Sequence, residues 1–142
     1  MPIKAERSEK KALNEDRLRK IAVEASEQSG RGDVPDVSGI QSLHDAVKGF
    51  KTTEKPMKLV AFHTEGVASR DGQHVTVGDR LKTDIDHLKP SPVAVFIGPE
   101  GGWSPAEIDL FHKEGIEIAC LGPQVLRSET AVVAALSVVV FG

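Results

Sequence analysis

Val93-Ala94-Val95-Phe96-Ile97-Gly98-Pro99-Glu100-Gly101-Gly102-Trp103-Ser104-Pro105-Ala106-Glu107 is the stretch on which the reading of this chain turns. Its first five residues are apolar without alternation, the pattern of a parallel strand covered on both faces. The glycines that follow allow the backbone to turn sharply and to approach a ligand closely. Ser104, Pro105 and Glu107 then supply an N-cap, a proline at the first helical position and a carboxylate at the third, a strong helix start. A strand, a glycine loop and a helix N-terminus with unpaired N–H groups therefore meet at one place. In an open α/β sheet the ligand crevice lies at such a place, outside the carboxyl ends of the strands.

A second segment repeats the arrangement. Ile116–Leu121 reads as a strand, Gly122-Pro123-Gln124-Val125-Leu126-Arg127 as its exit, and Ser128 or Glu129 opens a last helix running to Phe141. The valines of that helix are poor helix formers, so its assignment depends on context. The two strand ends make one pocket if their strands are neighbours. The glycine loop is neither a P-loop, which requires Gly-Lys-Ser/Thr, nor the dinucleotide G-x-G-x-x-G fingerprint. A purely structural β–α turn is the competing reading of Gly98–Gly102.

Working outward, Asn14 predicts an N-cap, followed by an apolar stripe at Leu18, Ile21, Ala22 and Ala25 and a stop at Gly30. Arg31–Pro35 is a loop. A second helix is expected over residues 42–49, capped by Ser42 and Asp45, with Leu43, Ala46 and Val47 facing inward. Lys58–Phe62 is a buried strand leading into His63, residues 67–78 are ambiguous, and residues 79–88 have helical spacing ended by Pro90 and Pro92. Within the helix opened by Ser104, Ile108, Leu110 and Phe111 supply the buried side, and Gly115 ends it. The β-α-β-α order over 58–142 indicates an α/β domain around a mainly parallel sheet. Residues 1–13 are polar and patternless, and read as a tail or linker remnant.

Composition narrows the classes. The 142 residues suffice for one domain with a real core. No apolar run approaches a membrane span, and no signal peptide is visible. Cys120, the single cysteine, is expected to be buried and structural, in keeping with a reducing cytoplasm. The net charge of −3 divides into +3 over residues 1–20 and −6 over the rest. The basic arm could touch phosphates, or simply be a solvated mixed-charge face. With five Phe, Trp103 and no Tyr, there is no evident base-stacking platform. No histidine or carboxylate spacing fits zinc or calcium, so no metal is expected.

Glu27-Gln28-Ser29-Gly30-Arg31, Ile97–Ser104 and Leu121–Ala131, in that order, resemble the ribosomal RNA small subunit methyltransferase E family. The resemblance covers residues 14–142 and implies a SPOUT-type α/β fold with a deep C-terminal trefoil knot, although knots are rare. It implies an S-adenosylmethionine-dependent enzyme that methylates N3 of a uridine in small-subunit ribosomal RNA, and a homodimer built around the knot. Carried over residue by residue, the cofactor site comprises His63, Ile97, Gly98, Pro99, Glu100, Gly101, Leu121, Gly122, Val125, Leu126 and Arg127. Leu121, Gly122, Val125 and Leu126 would surround adenine through mostly backbone contacts. Gly98, Glu100 and Gly101 would border the ribose and methionine part, and a bulky side chain at Gly101 would block it. No counterpart of the family's N-terminal PUA-like RNA-binding domain is expected within these 142 residues, because residues 1–13 are too few to make one. Gln124 stands where relatives commonly carry a basic residue.

Methylation at uridine N3 requires loss of a weakly acidic proton or stabilisation of the resulting anion, with the methyl donor in line. Arg127 and Arg31 are the candidates for holding phosphate or uracil oxygens, since a guanidinium stays ionised. Glu100 and Glu129 are the pocket carboxylates considered as base. Structural alternatives stand beside each: Arg127 pairing with Glu100 or Glu129, Arg31 as a surface charge, Glu129 as a helix cap. A ribose 2′-O-methyltransferase of the same superfamily and a non-catalytic cofactor-binding dimer are the other functions compatible with these segments. Ser128-Glu129-Thr130-Ala131, lacking the asparagine usual in 2′-O enzymes, favours base methylation.

Overall fold

The computed structural model describes residues 1–8, 14–54, 57–63, 92–121 and 125–141. The readings made for 67–78 and 79–88, and for Gly122, Pro123 and Gln124, lie outside them. Among the described residues the principal sheet has three parallel strands, with β3 (Lys58–His63) at its centre, β4 (Val93–Ile97) on one side and β5 (Glu117–Cys120) on the other. Phe62 aligns with both Ile97 and Ala119, and His63 with Cys120. The carboxyl ends of all three strands therefore finish level with one another. Because β4 and β5 flank β3 on opposite sides, the chain must cross the sheet between them, which leaves a crevice at the end of the central strand.

Side-chain alternation along β3 divides the core. Leu59 and Ala61, with Ala94 and Phe96 of β4, face a layer that includes Leu43, Ala46 and Val47 of α2 (Leu43–Lys51) and Phe111 of α3 (Pro105–Lys113). Edge-to-face aromatic contacts run through this layer: Phe50 on Phe96 at 5.9 Å and Trp103 on Phe111 at 5.1 Å. Val60 and Phe62 face the other way, onto Ala135 of α4 (Ser128–Phe141). Burial on both faces explains why the strands show unbroken apolar runs.

The cap chemistry read from the sequence is present. Asn14 accepts the Arg17 amide at the start of α1 (Glu15–Gln28), and Ser42 accepts that of Asp45 at the start of α2. Ser104 and Glu107 form a reciprocal capping box at α3. After α1, Gly30 N–H donates to the Glu27 carbonyl and Arg31 N–H to that of Ser26, a Schellman closure that fixes where Arg31 emerges.

Two expectations are corrected. The N-terminal arm is built into the fold: β1 (Ile3–Lys4) pairs in parallel with β2 (Gln41–Ser42), and Ala5 is 6% exposed. Polarity concealed this, because backbone pairing needs no apolar pattern. The stripe on α1 is not a core face in the described structure. Ile21 is 49% exposed and the helix's one buried residue is Ser26, whose hydroxyl donates to the Ala22 carbonyl at 2.9 Å.

Candidate functional site

A small cavity of about 30 Å³ opens where the three strands end. Its lining contains Phe62 and His63 from β3, Ile97, Gly98, Pro99 and Gly102 from the exit of β4, Leu121 after β5, and Leu126, Ser128 and Ala131 around the start of α4. Each arrives there for a local reason. The strands deliver their last residues in register. Pro99 and Gly102 close a turn through a 2.8 Å hydrogen bond from the Gly102 amide to the Pro99 carbonyl. Gly102 has φ of 67°, a conformation that side chains beyond glycine adopt at a cost.

Trp103 holds this corner from beneath. Its indole Nε1–H donates to the Phe62 carbonyl at 2.9 Å, a buried bond between the central strand and the loop leaving its neighbour. A Cβ on Gly98 would lie 3.1 Å from the same indole, so a side chain at 98 requires the indole to give by a few tenths of an ångström. The two conspicuous residues of the loop are thus complementary: the absent side chain makes space for the large one.

Six of the residues expected at the site line the cavity: His63, Ile97, Gly98, Pro99, Leu121 and Leu126. Glu100, Gly101, Val125 and Arg127 do not belong to the lining, and all four are exposed, Val125 by 67%. Gly101 departs from expectation in an informative way. A Cβ there would meet Arg7 Cβ at 3.4 Å, and its carbonyl accepts Arg7 Nη1–H at 2.9 Å. It faces the N-terminal arm, so a side chain at 101 would press on that arm instead of filling the cavity. Arg31 also lies off the lining. It forms a two-pronged pair with Asp33, with Nη2 to Oδ2 at 2.9 Å and Nε to Oδ1 at 3.3 Å. That hydrogen bonding and charge proximity raise the Arg31 pKa further and hold the Asp33 carboxyl below its ordinary value.

A family model described as RNA methyltransferase domain matches residues 1–140. The chain belongs to this family. Among curated relatives it is similar to ribosomal RNA small subunit methyltransferase E of Bacillus subtilis (strain 168), with 33% identity over 146 residues that cover 98% of this chain and 54% of the relative. It is 29% identical to the Aquifex aeolicus (strain VF5) protein of the same name, over 97% of this chain and 54% of the relative. Among solved structures it is similar to a ribosomal RNA small subunit methyltransferase E from Neisseria gonorrhoeae bound to S-adenosyl methionine. That match has 30% identity and a TM-score of 0.61, covering 92% of this chain and 51% of that one. A Legionella pneumophila methyltransferase with bound cofactor SAM matches at 30% identity and a TM-score of 0.69, covering 97% of this chain and 52% of that one. The chain spans about half the length of the curated relatives it matches.

Sequence reasoning about this RNA methyltransferase domain missed Phe62, Gly102, Ser128 and Ala131 as lining residues. Phe62 and Ala131 carry no chemical signal, since an apolar residue at a strand end or in a helix's first turn reads as core. Gly102 stood inside the quoted motif, and its positive φ is what separates it from Gly101. Among the described residues no group of His, Cys, Asp and Glu could hold a metal, and no helix is long and apolar enough to cross a membrane.

Proposed function

We propose that this RNA methyltransferase domain binds S-adenosylmethionine at the strand-end cavity and methylates N3 of a uridine in small-subunit ribosomal RNA. The observation that carries this reading is the convergence of three parallel strand ends on one glycine-walled cavity, in a chain of this family. Phe62, Ile97, Leu121 and Leu126 offer the apolar walls that a purine requires, and Gly98 and Gly102 let backbone reach polar atoms of the ligand. Ile97, Gly98, Pro99 and Ser128 also border an adjoining cavity of about 570 Å³, within the roughly 300–1,000 Å³ of a small-molecule site.

The cofactor supplies an electrophilic methyl group. The chain must orient uracil and stabilise its N3 anion. Arg127 is the candidate for this role, a reading supported by the presence of its chain neighbours Leu126 and Ser128 in the cavity lining. Arg31 can take part only by sharing its guanidinium with Asp33 or releasing it. Glu100, exposed and adjacent to Pro99, is the candidate base. The same reading includes a trefoil knot through which the last helix passes, a homodimer and a cytoplasmic location. Exposed Val132, Val133 and Leu136 on α4 support the homodimer.

Calorimetry with S-adenosylhomocysteine tests the cavity: saturable binding is expected, and its absence in a folded sample removes the assignment. Mass spectrometry of nucleosides from small-subunit RNA incubated with the chain and S-adenosylmethionine tests the reaction. N3-methyluridine supports it; a 2′-O-methyl nucleoside redirects it to the ribose; binding without product leaves a cofactor-binding module.

A further inference from the structure

The N-terminal arm and the glycine loop lie 94 residues apart between Arg7 and Gly101, yet they are fastened together. Arg7 Nη1–H donates to the Gly101 carbonyl at 2.9 Å. The Glu6 amide donates to Glu107 Oε1 at 2.8 Å, and the Ser104 amide to Glu107 Oε2 at 2.8 Å. A single carboxylate, 9% exposed, thus joins the backbone of the arm to the residue that caps α3. The arm is itself anchored by β1–β2 pairing and by buried Ala5. None of these bonds involves the cavity lining. Gly98, Pro99 and Gly102 line the cavity, while Arg7 holds the turn at Gly101 and Glu107 holds Ser104, just after it.

We propose that residues 1–8 act as a strap that sets the conformation of the Gly98–Gly102 loop, with Arg7 and Glu107 as positioning residues for the cofactor wall. The cofactor part rests on the function proposed above. Three glycines in five positions give a loop wide conformational freedom, and ordering it on ligand binding lowers affinity. A strap that orders the loop beforehand removes that cost. Coupling of this kind is reciprocal, so a ligand that needs the held shape of the loop also tightens the arm.

The Gly102 amide, bonded to the Pro99 carbonyl at 2.8 Å, is the loop's own marker. Hydrogen exchange measured by NMR on the whole chain without ligand should show this amide exchanging about tenfold faster in Arg7→Ala, with most of the protection restored in Arg7→Lys. Glu107→Gln leaves one acceptor oxygen where two are used, and should accelerate exchange at Glu6 or Ser104. Unchanged Gly102 exchange in folded Arg7→Ala, or in Glu107→Gln should the first variant not fold, overturns the strap. Titration with S-adenosylhomocysteine then tests its purpose: affinity should fall about tenfold in Arg7→Ala with recovery in Arg7→Lys, and ligand should slow Glu6 amide exchange in the unaltered chain. A mobile loop with undiminished affinity overturns the positioning role while the cofactor assignment stands. If the unaltered chain does not bind, the cofactor assignment and the positioning role fail together, and the ligand-free exchange still decides the strap.

Discussion

The Gly98–Gly102 loop and the Glu27–Asp33 corner both contributed to the resemblance, and the structure treats them in opposite ways. The loop is held by Trp103 on the Phe62 carbonyl, by the Ser104–Glu107 cap and by Arg7. The corner is held by its own Schellman closure and by one solvent-exposed ion pair. A ligand wall that must keep its shape gains from long-range ties, because each removes conformations the glycines would otherwise sample. The arginine on the exposed corner stays ionised but is paired with Asp33, which it must share or release to meet another group. The contrast supports the proposal that the loop contributes shape and the corner charge.

The largest effect that would break this contrast comes from Trp103→Ala. Removing an indole 2% exposed should destabilise the fold by about 3–5 kcal/mol, read by urea unfolding. A loss near zero would mean that the loop needs no support from below. Gly98→Val should cost about 1–3 kcal/mol through overpacking against the indole and abolish S-adenosylhomocysteine binding. Gly101→Ala, whose Cβ has ordinary contact distance to Arg7, should retain far more of that binding. Ser104→Ala removes the acceptor for the Glu107 amide and should cost about 1 kcal/mol in the same unfolding assay. On the corner, Arg31→Ala should change stability by no more than about 0.5 kcal/mol, leave S-adenosylhomocysteine affinity nearly intact and impair methylation of RNA. Equal loss of cofactor affinity in Gly98→Val and Arg31→Ala would erase the division between the two regions.

The smallest effect concerns pH. Lys51 Nζ hydrogen-bonds Glu114 Oε2 at 2.7 Å and holds that carboxyl below its ordinary value of 4.5. A depressed folded value means the contribution is complete above 4.5 and disappears as pH falls through the folded value. Both groups are solvated, so Glu114→Gln should flatten the acid limb of the stability curve only slightly. A large change would show that α2 and α3 depend on this pair more than on the aromatic layer between them.

Much of the local chemistry was legible in the sequence. The limits of β4, the capping box at Ser104, the N-caps at Asn14 and Ser42 and the end of α1 follow from short-range rules. Strand ends in a parallel sheet also converge on one crevice, and His63, Ile97, Gly98, Pro99, Leu121 and Leu126 line the cavity there. Tertiary structure alone decided the rest. Only the fold shows that polar residues 1–8 are an integral strand and strap, since backbone hydrogen bonds and a bridging carboxylate leave no periodicity. Only the fold separates Gly98 and Gly102, which face the cavity, from Gly101, which faces Arg7. Sequence names residues that can make a ligand loop, but which side of the turn meets the ligand depends on groups about a hundred positions away.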